Sequence, residues 1–163
     1  MSIQIFITGG TIDKKYNELT GELIFDKTHI VDMLNRSRCM TETFSEVIFL
    51  KDSLDIVENE RELIYSKCKG SDSEKILITH GTDTMIETAK SIQSMNLAKT
   101  IVLTGSMIPY SVSNSDALFN LGFAISAVQT LVHGVYVCMN GKIFNASNVY
   151  KNREIGIFES IKN

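Results

Sequence analysis

The sequence predicts a single α/β domain of the doubly wound, flavodoxin-like type, built on a mainly parallel sheet. Two observations predict this fold class. Short apolar segments rich in β-branched residues alternate with longer segments of helical periodicity, and the apolar segments end in polar turns. The 163 residues suit one domain, and no linker, repeat or low-complexity segment divides them. We therefore expect about five parallel strands with helices on both faces of the sheet.

Five short segments with high β-propensity predict the parallel strands. They cover residues 3–8, 46–50, 76–79, 100–104 and 135–138. Lys142-Ile143-Phe144 follows an Asn-Gly turn, so a further strand is expected to return antiparallel to the last of the five. Residues 12–24 contain Asn, Gly and several charges, and we expect them to be irregular.

Helical periodicity fills the segments between these strands. A short first helix is expected to bury Ile30, Val31 and Leu34. The second helix is predicted over residues 59–68, and Gly70 supplies its stop.

The third and fourth helices follow the turns that carry most of the polar residues. Thr82 and Asp83 stand where an N-cap is expected, before an apolar stripe that begins at Met85. The fourth helix, 115–131, is apolar on almost every side. Such a helix needs cover on several faces.

The composition is that of an ordinary globular protein, with 44% apolar and 21% charged residues. A net charge of −3 without any run of Lys or Arg argues against nucleic acid or a membrane surface as a partner. No signal-type segment opens the chain, and no apolar run approaches the roughly 18 residues of a membrane span. The three cysteines are widely spaced, which argues against a disulfide framework or a zinc site. We expect a cytoplasmic protein that uses no metal or cofactor.

Polar turns follow four consecutive predicted strands. They are Thr8-Gly9-Gly10-Thr11, Asp52-Ser53, Thr79 to Thr84, and Thr104-Gly105-Ser106. Because the carboxyl ends of parallel strands meet at one edge of a sheet, we expect these turns to form one crevice. The side chains expected to line it are Thr11, Ser53, Thr82 and Asp83. The first turn lacks the third glycine of a dinucleotide fingerprint and the lysine of a P-loop, so nucleotide binding is not favoured.

This set of residues is suited to amide hydrolysis. That reaction needs a nucleophile, a proton acceptor, and donors aimed at the developing oxyanion. Thr11 on a glycine turn can supply the nucleophile, and neighbouring backbone N–H groups can supply the donors. A tyrosine hydroxyl acts as a base at neutral pH only beside a cation. For Tyr16, that cation is expected among Lys14, Lys15 and Lys151.

Two of the turns are specific as motifs. One reads Thr-Gly-Gly-Thr-Ile over residues 8–12, and the other reads Thr-His-Gly-Thr-Asp-Thr over residues 79–84, followed by Glu87-Thr88-Ala89. They resemble the two signatures of the asparaginase/glutaminase family. Other segments look like family segments in the same order: Asp52-Ser53, 102–109, Ser115-Asp116, Phe119-Asn120 and 139–141. The resemblance runs from about residue 3 to residue 153.

The resemblance implies an L-asparagine amidohydrolase, which forms L-aspartate and ammonia through a threonine acyl-enzyme, with glutamine as a side substrate. It assigns Thr11 as the nucleophile, assisted by Tyr16, the only tyrosine in the loop that follows. Ser53 matches the residue that holds the substrate α-carboxylate. Asp83 matches the residue that binds the α-ammonium group, and Thr82 the residue beside the scissile amide. The substrate is also expected to contact these turns at Gly10, Asp52 and Gly81.

The resemblance further implies a lysine paired with Thr82. We look for this lysine on the fourth helix, but residues 117–132 contain none. Lys151 and Arg153 are the nearest basic candidates. A lysine can be desolvated into a usable base, whereas an arginine stays protonated. Lys151 is therefore predicted to be the cation near Thr82 or Tyr16.

The resemblance also bears on the assembly. Family members carry a smaller C-terminal domain beyond the matched segment, and residues 1–163 resemble the N-terminal domain only. Since one open sheet edge excludes water poorly, we expect a neighbouring subunit to close the site. The apolar helix 115–131 also needs cover, which twofold association would supply. We expect a homo-oligomer, either a dimer or a dimer of dimers.

Two other functions are alternatives to the hydrolase. The first is a non-catalytic amino-acid-binding or regulatory protein that keeps the same pocket. The second is a small α/β transferase or flavodoxin-like cofactor protein, which would need a phosphate loop or flavin-stacking aromatic residues at the strand exits. The sequence does not select asparagine over glutamine, because one methylene in a pocket is worth only about 1–3 kcal/mol.

Overall fold

A six-stranded sheet forms the centre of the protein. The computed structural model describes residues 2–161, which contain ten strands and four α-helices. In chain order the strands are β1 (Ile3–Gly9), β2 (Lys14–Asn17), β3 (Glu22–Phe25), β4 (Thr43–Lys51), β5 (Lys75–Thr79), β6 (Thr100–Thr104), β7 (Gly134–Met139), β8 (Lys142–Asn145), β9 (Tyr150–Asn152) and β10 (Ile157–Glu159). The helices are α1 (Ile30–Arg36), α2 (Glu58–Gly70), α3 (Met85–Ser94) and α4 (Ala117–Thr130). Short 3-10 turns over Thr11–Asp13 and Ser53–Asp55 follow β1 and β4.

The strand order in the central sheet is β4-β1-β5-β6-β7-β8. The first five of these strands are parallel, and β8 returns antiparallel to β7 after the Asn140-Gly141 turn. The predicted doubly wound α/β fold, with a mainly parallel sheet and an antiparallel return, is confirmed. Because the parallel strands point the same way, the turns after β1, β4, β5 and β6 leave the sheet at one edge.

Helices cover both faces of this sheet. Helices α2 and α3 pack on one face through residues such as Ile64 and Ile92, and α1 and α4 cover the other through Met33 and Val128. The middle strands β5 and β6 are buried from residue 76 to 79 and from 100 to 104. This burial on two sides explains why their sequences are apolar without alternation. Among residues 2–161, none of the helices is long and apolar enough to cross a lipid bilayer.

Residues 12–24 are more regular than the sequence predicts. Strands β2 and β3 form an antiparallel hairpin in which Tyr16 lies opposite Leu23. The loop after β6 holds this hairpin, because the Ser111 hydroxyl donates a hydrogen bond to the carbonyl of Lys14 at 2.8 Å. The prediction of an irregular segment was wrong, since the contacts that order it come from a distant part of the chain.

Two predictions about the helices were also wrong. Val31 is 52% exposed, and Met33 is buried on the inner face of α1 instead. Helix α3 begins at Met85 with Thr84 as its N-cap, so Thr82 and Asp83 precede the helix and do not cap it. Their side chains are bound by residues from the end of the chain, which leaves them unavailable to the helix.

A second hairpin, formed by β9 and β10, follows β8 and is not anticipated by the sequence pattern. Val149, just before it, and Phe158, within it, are buried in the same hydrophobic cluster as α2 and α3. The Tyr150 hydroxyl donates a hydrogen bond to the Glu159 carboxylate across the hairpin at 2.8 Å. These contacts fix the strand that carries Lys151.

Candidate active site

The turns after β1, β4 and β5 meet through glycine backbones. A Cβ atom added at Gly10 would lie 2.4 Å from the backbone nitrogen of Gly81, and one added at Gly81 would lie 2.7 Å from the Ser53 side chain. Gly10 also has a φ of 80°, which L side chains rarely adopt. Only glycine permits this approach at both positions. Thr11 and Thr82 each follow the contact by one residue, so the two predicted threonines lie on adjoining turns.

Ser53 is buried between these turns, with 3% of its surface exposed. The backbone N–H of Thr84 donates to Ser53 Oγ at 3.2 Å, and the Thr84 hydroxyl donates to the Ser53 carbonyl at 2.9 Å. The 3-10 turn after β4 is thereby attached to the start of α3. The Ser53 hydroxyl hydrogen stays available for an acceptor in the crevice.

Lys151 reaches the turn after β5 from the hairpin at the end of the chain. Its Nζ donates to Thr82 Oγ1 and to Asp83 Oδ1, both at 2.8 Å. The Lys151 side chain is only 10% exposed. The structure therefore places an ammonium group, largely removed from water, against the second of the two threonines, which is the neighbourhood expected for Lys151.

Asp83 receives a second cation as well. Arg153 Nη1 donates to Asp83 Oδ1 at 2.9 Å, and Arg153 Nη2 donates to the Asp83 backbone carbonyl at 3.1 Å. The hydrogen bond from Lys151, followed by the charges of both cations, lowers the pKa of the Asp83 carboxyl. Asp83 is therefore ionised at neutral pH. Sequence reasoning set Arg153 aside because an arginine cannot act as a base, and that argument is silent on ion pairing.

Thr11 and Tyr16 are less constrained than the residues around Thr82. Thr11 opens the 3-10 turn after Gly10 and is partly exposed, and Tyr16 is 57% exposed on β2. Within residues 2–161, neither side chain makes a hydrogen bond to another protein group. The structure thus brings Thr11 to the crevice edge without joining its hydroxyl to that of Tyr16.

The lysines on either side of Tyr16 are paired with carboxylates. Lys14 Nζ lies 2.6 Å from Asp52 Oδ2, and Lys15 Nζ lies 2.6 Å from Asp26 Oδ2. The pair of Lys14 and Asp52 joins the β2–β3 hairpin to the exit of β4. Asp52, expected to contact the substrate, holds this hairpin in the structure.

His80 lies beneath the turn after β5 and is fully buried. Its Nδ1–H donates to the Gly81 carbonyl at 2.9 Å, and its Nε2 is 2.9 Å from the Thr88 hydroxyl, which Arg61 also contacts. Burial lowers the pKa of His80 to about 4, so the ring is neutral at pH 7. Both ring nitrogens are occupied by hydrogen bonds that shape the turn, as its position before a glycine suggests.

Comparison with known families agrees with this geometry. A family model for the N-terminal domain of asparaginase matches residues 2–162. The chain belongs to the asparaginase family. The resemblance that the sequence motifs indicate is thereby confirmed.

Curated relatives within the asparaginase family match large parts of the chain. The L-asparaginase of Thermococcus kodakarensis is 40% identical over 90 residues, which are 53% of this chain and 27% of the relative. L-asparaginase 1 of Escherichia coli K12 is 30% identical over 161 residues, or 93% of this chain and 44% of the relative. One component of the glutamyl-tRNA(Gln) amidotransferase of Methanococcus vannielii is 31% identical over 153 residues, or 87% and 35%. The chain thus spans less than half the length of these curated relatives.

Solved asparaginase structures share the fold. The thermostable L-asparaginase of Thermococcus kodakarensis superposes with a TM-score of 0.85 at 30% identity, over 99% of this chain and 51% of that protein. The probable cytoplasmic L-asparaginase of Campylobacter jejuni gives a TM-score of 0.84 at 28% identity, over 97% and 52%. Residues 2–161 include no group of three or more His, Cys, Asp or Glu side chains placed to hold a metal ion.

Asp13 is a buried residue of the asparaginase turn that sequence reasoning missed. Its Oδ1 accepts hydrogen bonds from the backbone N–H of His29 at 2.7 Å and from the Thr28 hydroxyl at 3.0 Å. Its Oδ2 is buried and, within the described residues, has no hydrogen-bond partner. Asp13 therefore attaches the turn that carries Thr11 to the start of α1. An aspartate two residues after Thr11 gives no sequence signal that distinguishes this role from a solvated charge.

The Asp13 carboxyl predicts a pH-dependent stability. Burial is the main cause that raises its pKa above the ordinary 3.8, although the bonds from His29 and Thr28 oppose it. Ionisation of Asp13 therefore destabilises the folded state, and this destabilisation grows as pH rises from about 3.8 through the folded pKa. Asp13→Asn keeps the Oδ1 acceptor and cannot ionise. The Tm of the native chain, relative to that of Asp13→Asn, should fall by a few degrees between acidic and neutral pH. A constant difference across this pH range would contradict the assignment.

Proposed function

We propose that this chain is an L-asparagine amidohydrolase that forms L-aspartate and ammonia through an acyl-enzyme on Thr11. The observation that carries the proposal is the 2.8 Å hydrogen bond from Lys151 to Thr82, beside the junction of Gly10 with Gly81. A largely buried ammonium group next to a hydroxyl is the arrangement that proton transfer requires. A protein that only binds amino acids has no need of it.

In the proposed first step, the Thr11 hydroxyl attacks the side-chain amide carbon of the substrate. Thr11 transfers its proton to Tyr16 as the new C–O bond forms. The amide nitrogen takes a proton by way of Thr82 and Lys151, the C–N bond breaks, and ammonia leaves. Water then attacks the Thr11 ester, releases L-aspartate and restores the hydroxyl. Backbone N–H groups of the glycine turns would stabilise the oxyanion in both steps.

Tyr16 must approach Thr11 for this mechanism. Its side chain is largely exposed on the β2–β3 hairpin, and its hydroxyl has no hydrogen-bond partner among residues 2–161. We assign substrate binding as the event that draws the hairpin over the crevice, because closing a site excludes water and completes a catalytic set. The ion pair between Lys14 and Asp52 supplies a contact along which the hairpin is guided.

The remaining residues are assigned to the substrate backbone and walls. Ser53 donates its free hydroxyl hydrogen to the α-carboxylate, and Asp83 accepts the α-ammonium group. Gly10 and Gly81 form the floor of the crevice, where the absence of side chains lets the ligand approach the backbone. Glutamine is assigned as a side substrate, since the structure offers no steric criterion against one additional methylene.

Ammonia release by the purified chain tests the proposal. L-asparagine and L-glutamine are supplied separately, and ammonia and the amino-acid product are measured together. Equal amounts of ammonia and L-aspartate would support the hydrolase. Binding of L-asparagine without release of either product would instead favour the amino-acid-binding alternative.

A second candidate function is that of an ammonia-supplying component of an amidotransferase. The similarity to the Methanococcus vannielii amidotransferase component over 87% of this chain favours it. The two candidates share the same Thr11 chemistry. Turnover by the isolated chain, without any other protein, separates the hydrolase from a component that needs its partner.

The proposed enzyme is a cytoplasmic homo-oligomer, at least a dimer. The outer face of α4 supports association, because Phe119 is 61% exposed and stacks on Phe123 with ring centroids 6.3 Å apart. An exposed apolar face of this kind favours burial against another chain. The description of the Campylobacter jejuni relative as probably cytoplasmic supports the compartment.

The oligomer can be tested by size-exclusion chromatography with light scattering. The active species is expected at a multiple of the 18.2 kDa chain mass. Phe119→Ser should shift the distribution toward the monomer, because it removes the most exposed aromatic ring of α4. An active species with the mass of a single chain would contradict the prediction.

A further inference from the structure

Asp83 is shared by two cations of different exposure. Lys151 and Arg153 both donate to the same carboxylate oxygen, Oδ1, at 2.8 and 2.9 Å. The Lys151 side chain is 10% exposed, whereas that of Arg153 is 62% exposed. The second guanidinium nitrogen of Arg153 also reaches the Asp83 carbonyl, which fixes the planar group against this residue.

The two cations change the charge that a ligand meets. One carboxylate and two basic side chains leave a formal charge of +1 around Asp83. The neighbouring pair of Lys14 and Asp52 is neutral and does not alter this balance. An incoming ammonium group therefore meets a carboxylate that is already neutralised, and like charges close together disfavour binding.

We propose that Arg153 is a specificity-determining residue that competes with the substrate's ammonium group for the Asp83 carboxylate. The inference rests on the proposed function, in which Asp83 receives the α-ammonium. Lys151 is held by Thr82 as well as by Asp83 and stays in place. Arg153 is solvent-exposed and is the cation that the ligand displaces.

The competition affects binding and leaves the chemistry unchanged. The apparent affinity for an amino-bearing ligand is reduced by the fraction of molecules in which Arg153 occupies Asp83. An amide without the ammonium group has no need to displace Arg153. Arg153 thus selects against L-asparagine relative to succinamate, which has the same carbon chain, carboxylate and amide but lacks the amino group.

The experiment measures kcat and KM for L-asparagine and succinamate with the native chain and with Arg153→Gln. We expect Arg153→Gln to lower KM for L-asparagine about three- to tenfold, with little change in kcat, and to leave KM for succinamate unchanged or higher. Arg153→Lys keeps the charge and should retain most of the native KM. Arg38→Gln makes the same change of charge at an exposed position after α1 and should match the native chain.

The same variants are titrated with L-aspartate and succinate by calorimetry, which requires no turnover. A selective gain in L-aspartate affinity supports the inference even if neither amide is hydrolysed, a result that would end the hydrolase proposal alone. Turnover of L-asparagine with an unchanged KM in Arg153→Gln would overturn the inference and leave the hydrolase standing. An equal rise in KM for both amides would also overturn it, because Arg153 would then hold the shared carboxylate. Failure of both acids to bind either form overturns it as well.

Discussion

Thr11→Ala is expected to lower kcat for L-asparagine at least about a thousandfold, because it removes the atom that forms the acyl-enzyme. The stability of the variant should be close to that of the native chain. Thr11 is partly exposed, and its hydroxyl makes no hydrogen bond to other protein groups within residues 2–161, so its loss leaves no buried polar group unpaired. Ammonia release and thermal unfolding are measured on the same preparation.

Thr130→Ala is the matched control for this substitution. Thr130 is exposed at the end of α4, and its hydroxyl is bonded only to carbonyls of the preceding turn. Full activity in Thr130→Ala together with its loss in Thr11→Ala assigns the effect to the crevice. Native rates in Thr11→Ala would remove Thr11 as the nucleophile, and a large fall in its Tm would show that Thr11 supports the fold.

Lys151→Met is expected to lower kcat about a hundredfold to ten-thousandfold, the usual contribution of a positioned proton-transfer group. The methionine keeps the aliphatic stem of the side chain and removes the donor to Thr82. Asp83 still receives Arg153 in this variant, so the carboxylate is not left unpaired. The KM for L-asparagine should change much less than kcat, because the proton transfer takes place after binding.

Lys151→Arg separates the charge of Lys151 from its proton. Arginine supplies a cation but stays protonated, so a proton relay predicts that activity remains low. Recovery of activity in Lys151→Arg would show that an electrostatic field is sufficient. Lys90→Met, on the exposed side of α3, controls for the loss of one lysine. Native kcat in Lys151→Met would return Lys151 to the ordinary surface charges.

The meeting of the turns was predictable from the sequence, because the geometry of a parallel sheet requires it. Once β1, β4 and β5 are recognised as parallel neighbours, Gly10, Ser53 and Gly81 must leave the sheet at the same edge. The glycines explain how closely the turns approach, since any side chain there would overlap the next turn. The predicted roles of Thr11 and Tyr16 stay predictions until their activity is measured.

The two hairpins were not predictable in the same way. A two-stranded hairpin has little stability of its own and depends on contacts with the rest of the protein. The β2–β3 hairpin is held by Ser111 and by the pair of Lys14 and Asp52. The β9–β10 hairpin is held by burial of Phe158. No local pattern contains the partners of the first hairpin, which lie 38 or more residues away from Lys14.

The start of α3 shows a different limit of sequence reasoning. Thr82 and Asp83 are good capping residues, and a rule based on local propensity places the helix start there. In the structure their side chains bind Lys151 instead, and the helix begins later, with Thr84 as its N-cap. Local preference is overridden where a distant cation binds more strongly than a backbone N–H. Such an override is typical of a functional site.

The hydrogen bond between Thr82 and Lys151 joins residues 69 positions apart in the chain, and the nucleophile candidate Thr11 lies still closer to the other end. During synthesis, the glycine turns can form long before the last hairpin emerges. An unfinished chain would hold the nucleophile without its proton partner, and so would a chain whose final hairpin has opened locally. Catalytic competence would then report on the completeness of folding, since it would arise only when the last strands dock against the first.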